Sequence, residues 1–157
     1  SRRQRQMCIR DSPLQHSYSL LSQHKRFIEY SKKDKFISNY MRWIGHTEFG
    51  PNYLPIHQNN LSYKNDMDIN HWIEQWDRTY KNCSEALKHK DNIHFICYEK
   101  LCTSKKYWLD ILKMLEIKQT YNFVFKESKK DISLKVDEKM ANKALSLYAD
   151  LSNIALR

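Results

Sequence analysis

Hydrophobic positions recur at spacings of three and four along most of the chain, which predicts a largely helical protein. Leu14, Tyr18, Leu21 and Ile28 keep this rhythm from Pro13 onward, with Leu20 and Phe27 beside them. Pro13 suits a first helical position and Ser12 its cap. A break at Ser31–Asp34 precedes a second helix, in which Phe36, Ile37, Tyr40, Met41 and Ile44 share a face and Gly45 ends the run. Residues 46–66 hold Gly50, Pro51 and Pro55 and read as a long functional or mobile loop. Asp68 caps a third helix, with Ile69, Trp72, Ile73, Trp76, Tyr80, Cys83 and Leu87 on its apolar stripe. Ser104 opens a further helix carrying Trp108, Ile111, Leu112 and Leu115. In the last helix Val136, Met140, Ala144, Leu147, Tyr148, Leu151 and Ala155 form the stripe, with Asp137 and Glu138 at its positive end.

One segment breaks the helical rule. Residues 92–98 read N-I-H-F-I-C-Y, with Ile93, Phe95 and Cys97 on one face and Ile96 and Tyr98 on the other. A strand apolar on both faces belongs inside a parallel sheet covered by helices. A single strand cannot form a sheet, so its companions are expected outside this sequence. The expected class is α/β: a mostly helical C-terminal fragment of a parallel-sheet enzyme, with one core strand near 92–98. Tyr121–Phe125 reads as loop.

Residues 1–12, S-R-R-Q-R-Q-M-C-I-R-D-S, have a different composition. Four of the eight arginines fall in the first ten residues, and no lysine does. The segment reads as a non-native leader, leaving 13–157 as one partial domain; the alternative is a natural basic arm that contacts an anion. The leader holds +3 of the net charge of +9. A positive balance favours anionic partners, although a lysine-rich solvated surface also accounts for it.

Only Gly45 and Gly50 occur, so no glycine-rich phosphate loop is encoded. Cys8, Cys83, Cys97 and Cys102 form no CxxC pair, and the histidines add no zinc spacing. No metal is therefore expected. Nothing suggests a disulfide framework, which favours a reducing, cytoplasmic location. No run of 18 apolar residues encodes a membrane span, and no signal peptide is visible, though a preceding segment could carry one.

The stretch R-D-S-P-L-Q-H-S-Y-S-L-L-S-Q-H at 10–24 resembles the sulfotransferase segment that holds the 3′-phosphate of 3′-phosphoadenosine 5′-phosphosulfate. In that pattern a strand ends in Arg-Asp-Pro or Arg-Asn-Pro, and a serine follows eight residues after the arginine. Ser19 takes the serine place. Arg10 precedes it by nine residues because Ser12 intrudes, and a leader that imitates the native motif accounts for the extra residue. The structural alternative for Ser19 is a helix-surface serine.

N-I-H-F-I-C-Y-E-K-L at 92–101 resembles the family's late unit of strand, Tyr-Glu-x-Leu and helix. F-I-S-N-Y-M-R-W-I-G-H-T-E-F-G at 36–50 is similar to a signature of a bacterial-type branch. The resemblance covers roughly residues 13–156 and rests more on element order than on any one motif. It implies sulfuryl transfer from that nucleotide co-substrate to a hydroxyl or amine, with Arg10 and Ser19 on the donor. The device expected to hold the phosphosulfate is missing, so this chain alone is expected to be inactive.

His46 and Glu48 are the acid/base candidates, at a helix end beside the long loop; capping and solvation are their structural alternatives. Glu99 is expected to be structural. Trp72 and Trp76 are expected in the core, His71 and Arg78 on the surface, and His94 as a satisfied buried histidine. The acceptor stays open among carbohydrate, lipid and small molecule. A basic helical module for nucleic acid, or a non-catalytic protein-interaction domain, is the rival reading. The aromatics lie on core stripes rather than among lysines, so nucleic acid is not the expected partner.

Overall fold

A computed structural model describes residues 8–9, 12–87, 94–118, 124–126 and 133–155. The chain is mostly helical, with six helices and one short strand pair among the described residues. The order is β1 (Cys8–Ile9), α1 (Pro13–Lys33), α2 (Lys35–Trp43), α3 (Ile69–Leu87), β2 (Ile96–Cys97), α4 (Tyr98–Thr103), α5 (Lys105–Met114) and α6 (Glu138–Ile154).

The helix ends follow local chemistry. Ser12 accepts from the Gln15 N–H at 3.4 Å, and Pro13 occupies the first turn, where its missing N–H costs nothing. Asp34 ends α1 and also caps α2, accepting from Phe36 N at 2.8 Å. Past α2, Gly45 takes φ +67°, the left-handed conformation that closes a helix. Asp68, Ser104 and Asp137 cap α3, α5 and α6 by accepting from Asn70, Tyr107 and Met140.

α3 is the central element and packs against both α1 and α6. Leu21 from α1, Trp72, Ile73 and Trp76 from α3, and Ala144 and Leu151 from α6 meet in one core. Leu21, Ile73 and Leu151 are fully buried, and each contributes about 1.5–3 kcal/mol by leaving water. Phe95 and Cys97 join this core from the strand segment.

The strand differs from expectation in three respects. It spans only Ile96–Cys97, and Tyr98 already starts α4. Phe95 and Cys97 are buried while Ile96 and Tyr98 are half-buried, so one face alone is fully covered. It also has a partner: β1 runs parallel to it, with Cys8 opposite Ile96 and Ile9 opposite Cys97. β1 lies within residues 1–12. Arg10, Ile93 and most of 118–134 fall outside the described residues.

The predicted apolar face of α2 exists but is not buried. Phe36 is 72% exposed, with Tyr40 and Ile44 about half exposed and Trp43 beside them at 81%. Ile37 and Met41, further round the helix, are half-buried.

Gly50 has φ +86°, and a Cβ there would lie 3.2 Å from Phe27 Cβ. Gly45→Ala meets open space and carries only the conformational cost. Urea denaturation should therefore show a loss of about 1 kcal/mol for Gly45→Ala and about 2–3 kcal/mol for Gly50→Ala. Equal losses would contradict the close approach of α1 to the loop.

Candidate functional site

The loop between α2 and α3 is held by polar side chains of α3 that are themselves buried. Asn70, His71, Glu74, Gln75 and Asp77 are each less than one-tenth exposed. A partly buried loop backbone must find partners for its N–H and C=O groups, and His71, Glu74 and Gln75 supply several of them, whereas Asn70 accepts from Asp137 N and Asp77 pairs with Lys143 of α6. Gln75 accepts from His57 N and donates to His57 O, both at 2.9 Å. Glu74 accepts from Ser62 N and Tyr63 N at 2.9–3.1 Å. Arg78 pairs with Glu74 at 2.7 Å and donates to the Asn59 and Asn60 carbonyls.

Burial alone would raise the pKa of Glu74. The N–H groups of Tyr63 and Ser62 and the Arg78 guanidinium outweigh it and hold the carboxyl below its usual value.

His71 was expected at the surface and is 1% exposed. Its Nδ1 lies 2.8 Å from the Tyr63 carbonyl and so carries the proton. Its Nε2 then accepts from the Tyr53 hydroxyl at 2.9 Å. Burial, helped by the Asp66 charge, pushes the pKa of Tyr53 up to about 12, so this donor keeps its proton. Arg78 was also expected at the surface, and its side chain is 29% exposed and fully engaged in the clamp.

His24 reaches the same loop from α1. Its Nδ1 accepts from Gly50 N at 3.1 Å, so Nε2 carries the proton, 3.6 Å from the Asp66 carboxylate. Burial lowers the pKa of His24; Asp66 partly offsets this, while His71 and Lys25 add to it.

Above the clamp lies a cleft of about 660 Å³, bounded by α1, residues 47–58 and α3. Leu20, Phe49, Tyr53, Trp72, Trp76 and Tyr80 supply most of its wall, and Leu54 and Ile56 stand at its rim. Trp72 and Trp76 are core residues as expected, and they also form the cleft floor.

Glu48 lines this cleft and is 70% exposed. It pairs with His46 Nδ1, whose ring is mostly buried against Phe27 at 5.1 Å. The two acid/base candidates are thus brought together at the end of α2. Ser19 lies on α1, one turn after His16, which lines the cleft, and beside Leu20. Its hydroxyl donates to the Gln15 carbonyl at 3.0 Å.

Glu99, expected to be structural, lies beside β2. It accepts from the Cys97 thiol at 3.2 Å, and Cys97 Sγ lies 3.6 Å from the Tyr148 hydroxyl, tying β2 to α6. Burial first, then the nearby Glu99 and Cys97, raise the pKa of Tyr148. Lys100 adds a second tie, donating to the Ser152 carbonyl at 2.8 Å. His94 is half-buried. Among the described residues no cluster of three or more His, Cys, Asp or Glu could hold a metal ion, and no helix is long and apolar enough to cross a membrane.

The polar clamp escaped the sequence reading. Its signal was the run N-H-W-I-E-Q-W-D-R at 70–78, whose polar residues sit on α3 directly after a long loop rich in backbone needing partners.

The depressed pKa of His24 has a defined consequence. The unfolded imidazole takes a proton near its ordinary value of 6.5, while the folded one resists it. Stability therefore falls as pH drops below 6.5 toward the lowered folded value. The Glu74 contribution, present above its ordinary 4.5, is lost at still lower pH, as the carboxyl titrates through its depressed folded value. His24→Gln should flatten the pH dependence of the urea midpoint between about pH 7 and 5 and leave the acid limb below about 4.5. An unchanged slope between pH 7 and 5 would contradict this assignment.

No family model matches the chain, and neither a curated protein nor a solved structure matches it.

Proposed function

We propose that the chain belongs to an α/β sulfotransferase and binds the 3′-phosphate end of 3′-phosphoadenosine 5′-phosphosulfate. The observation that carries this reading is the strand pair. Cys8–Ile9 lies immediately before Arg10-Asp11-Ser12-Pro13, and Ile96–Cys97 immediately before Tyr98-Glu99-Lys100-Leu101. The two motifs of the resemblance therefore follow neighbouring parallel strands and leave the pair at the same edge. Parallel strands need a long crossover, which α1–α3 supply. In open α/β sheets, ligands bind at the carboxyl edge of the strands. This reading takes Cys8–Ile9 as part of the domain.

A phosphate at that edge would meet the N-terminus of α1; the resemblance adds the guanidinium of Arg10 and the hydroxyl of Ser19, groups suited to a doubly charged ligand. The Ser19 proton would turn from the Gln15 carbonyl to a phosphate oxygen. In the reaction, the acceptor oxygen or nitrogen bonds to sulfur as the bond from sulfur to the 5′-phosphate oxygen breaks. Adenosine 3′,5′-bisphosphate leaves, and the acceptor proton passes to a base. Glu48, paired with His46, is the base this reading assigns.

The exposed aromatic face of α2, between Lys35 and Arg42, favours the second reading, a basic nucleic-acid or protein-interaction module. Affinity for RNA or DNA that falls steeply with salt would be its signature.

Calorimetric titration with adenosine 3′,5′-bisphosphate and adenosine 5′-monophosphate tests the proposal. The bisphosphate should bind at least about tenfold more tightly, and Ser19→Ala should weaken it by about tenfold while sparing the monophosphate. Equal affinities for the two nucleotides would reject the 3′-phosphate site.

A further inference from the structure

We propose that the exposed aromatic face of α2 docks on an anionic lipid bilayer, with Phe36, Tyr40 and Trp43 entering the interface and Lys35 and Arg42 meeting the lipid headgroups. The proposal does not depend on the sulfotransferase reading.

The first ground is the shape of the face. Spacings of four and three place Phe36, Tyr40 and Trp43 in one row along α2, and Ile44 extends it. All four are exposed. Packing against α1 does not account for them, because Ile37 and Met41, half-buried on the other side of the helix, already serve it. The Phe36 and Tyr40 rings stack with centroids 6.0 Å apart, and Trp43 lies 6.1 Å from Tyr40. The result is a continuous apolar strip, the kind of surface that marks an interaction site.

Charge names the occupant. Lys35 and Arg42 are exposed, are the only charged residues of α2, and stand two turns apart, so they flank the strip on one side. Lys32 and Lys33 close α1 just before it. Over residues 25–44 six cations stand against two carboxylates, a net of +4. Both carboxylates are engaged, Glu29 with Lys33 and Asp34 with the Phe36 N–H. A helix with rings on one face and lysine or arginine beside them lies in the plane of anionic headgroups with its apolar side inward.

The rival occupants fit less well. Nucleic-acid bases stack on separate ring faces, whereas Tyr40 here lies between Phe36 and Trp43, and the strip ends in aliphatic Ile44. A second copy of the face would set Lys35 and Arg42 against the same cations. The contact is peripheral, since among the described residues no helix is long and apolar enough to cross a membrane. The 21 residues of α1 separate the strip from Pro13 by about 30 Å, so docking leaves the start of α1 open.

Co-sedimentation with vesicles of phosphatidylcholine alone, or with about 30% phosphatidylserine, tests the surface. The chain should bind the anionic vesicles at least about tenfold more tightly, and less tightly as salt rises. Phe36→Ala with Trp43→Ala should weaken this binding by about tenfold, and so should Lys35→Glu with Arg42→Glu. All four positions are exposed, so folding should be retained, as a thermal melt checks. Brominated lipid should quench the tryptophan fluorescence, and Trp43→Phe should remove most of that quenching while binding persists. Absence of vesicle binding, equal affinity for the two vesicles, indifference to the ring substitutions, or no quenching would overturn the proposal. A single-stranded oligodeoxynucleotide that binds more tightly than the anionic vesicles and is lost with Phe36→Ala and Trp43→Ala would assign the face to nucleic acid instead. A dimer in sedimentation equilibrium that the same pair abolishes would assign it to a second copy; either result overturns the bilayer.

Discussion

The rest of this structure depends on one constraint: the backbone between α2 and α3 is partly buried and must have hydrogen-bond partners. α3 meets that need with a row of polar side chains, chiefly Glu74 and Gln75, on a helix whose other face forms the core. An unpaired buried N–H or C=O carries a penalty of about 1–3 kcal/mol, so the fit between helix and loop is mutually enforced. The central helix is consequently buried all round from Ile69 to Asp77, an unusual state for so polar a sequence.

This arrangement also explains the character of the cleft. Gln75 and Thr79 bond to His57 of the loop and Tyr53 bonds back to His71, so the wall beside them is largely aromatic and aliphatic, with His16, Thr47, Glu48 and Gln58 among it. Because the loop is fixed at His57, Ser62 and Tyr63 and again at Gly50 through His24, the cleft has a defined outer wall. Glu48 sits where α2 meets that wall, held by a mostly buried imidazole.

Much of the helical frame was legible because most helix starts carry their own signal, α4 excepted. Ser12–Pro13, Asp34, Gly45, Asp68, Ser104 and Asp137 mark boundaries by local hydrogen bonding or backbone freedom, which sequence records directly. The strand near Phe95 was legible from its β-branched and aromatic run, yet its length was not. Tyr98 belongs to α4 because Tyr98–Thr103 closes a helical turn that the strand pattern masks. His71 was misread because periodicity ranks a polar residue as exposed. Its burial is decided by the Tyr63 carbonyl and the Tyr53 hydroxyl, distant in sequence. The pairing of β1 with β2 is likewise non-local. The candidate site was half legible: His46 and Glu48 were singled out from their place at a helix end, whereas the aromatic cleft arises from three separate segments. Arg10 lies outside the described residues.

Amide hydrogen exchange tests the central constraint most directly. The N–H groups of Gly50, His57, Ser62 and Tyr63 should exchange about as slowly as those in the middle of α3, since loop and helix must open together. Exchange of these four amides at the rate of an unstructured peptide, while α3 stays protected, would contradict it.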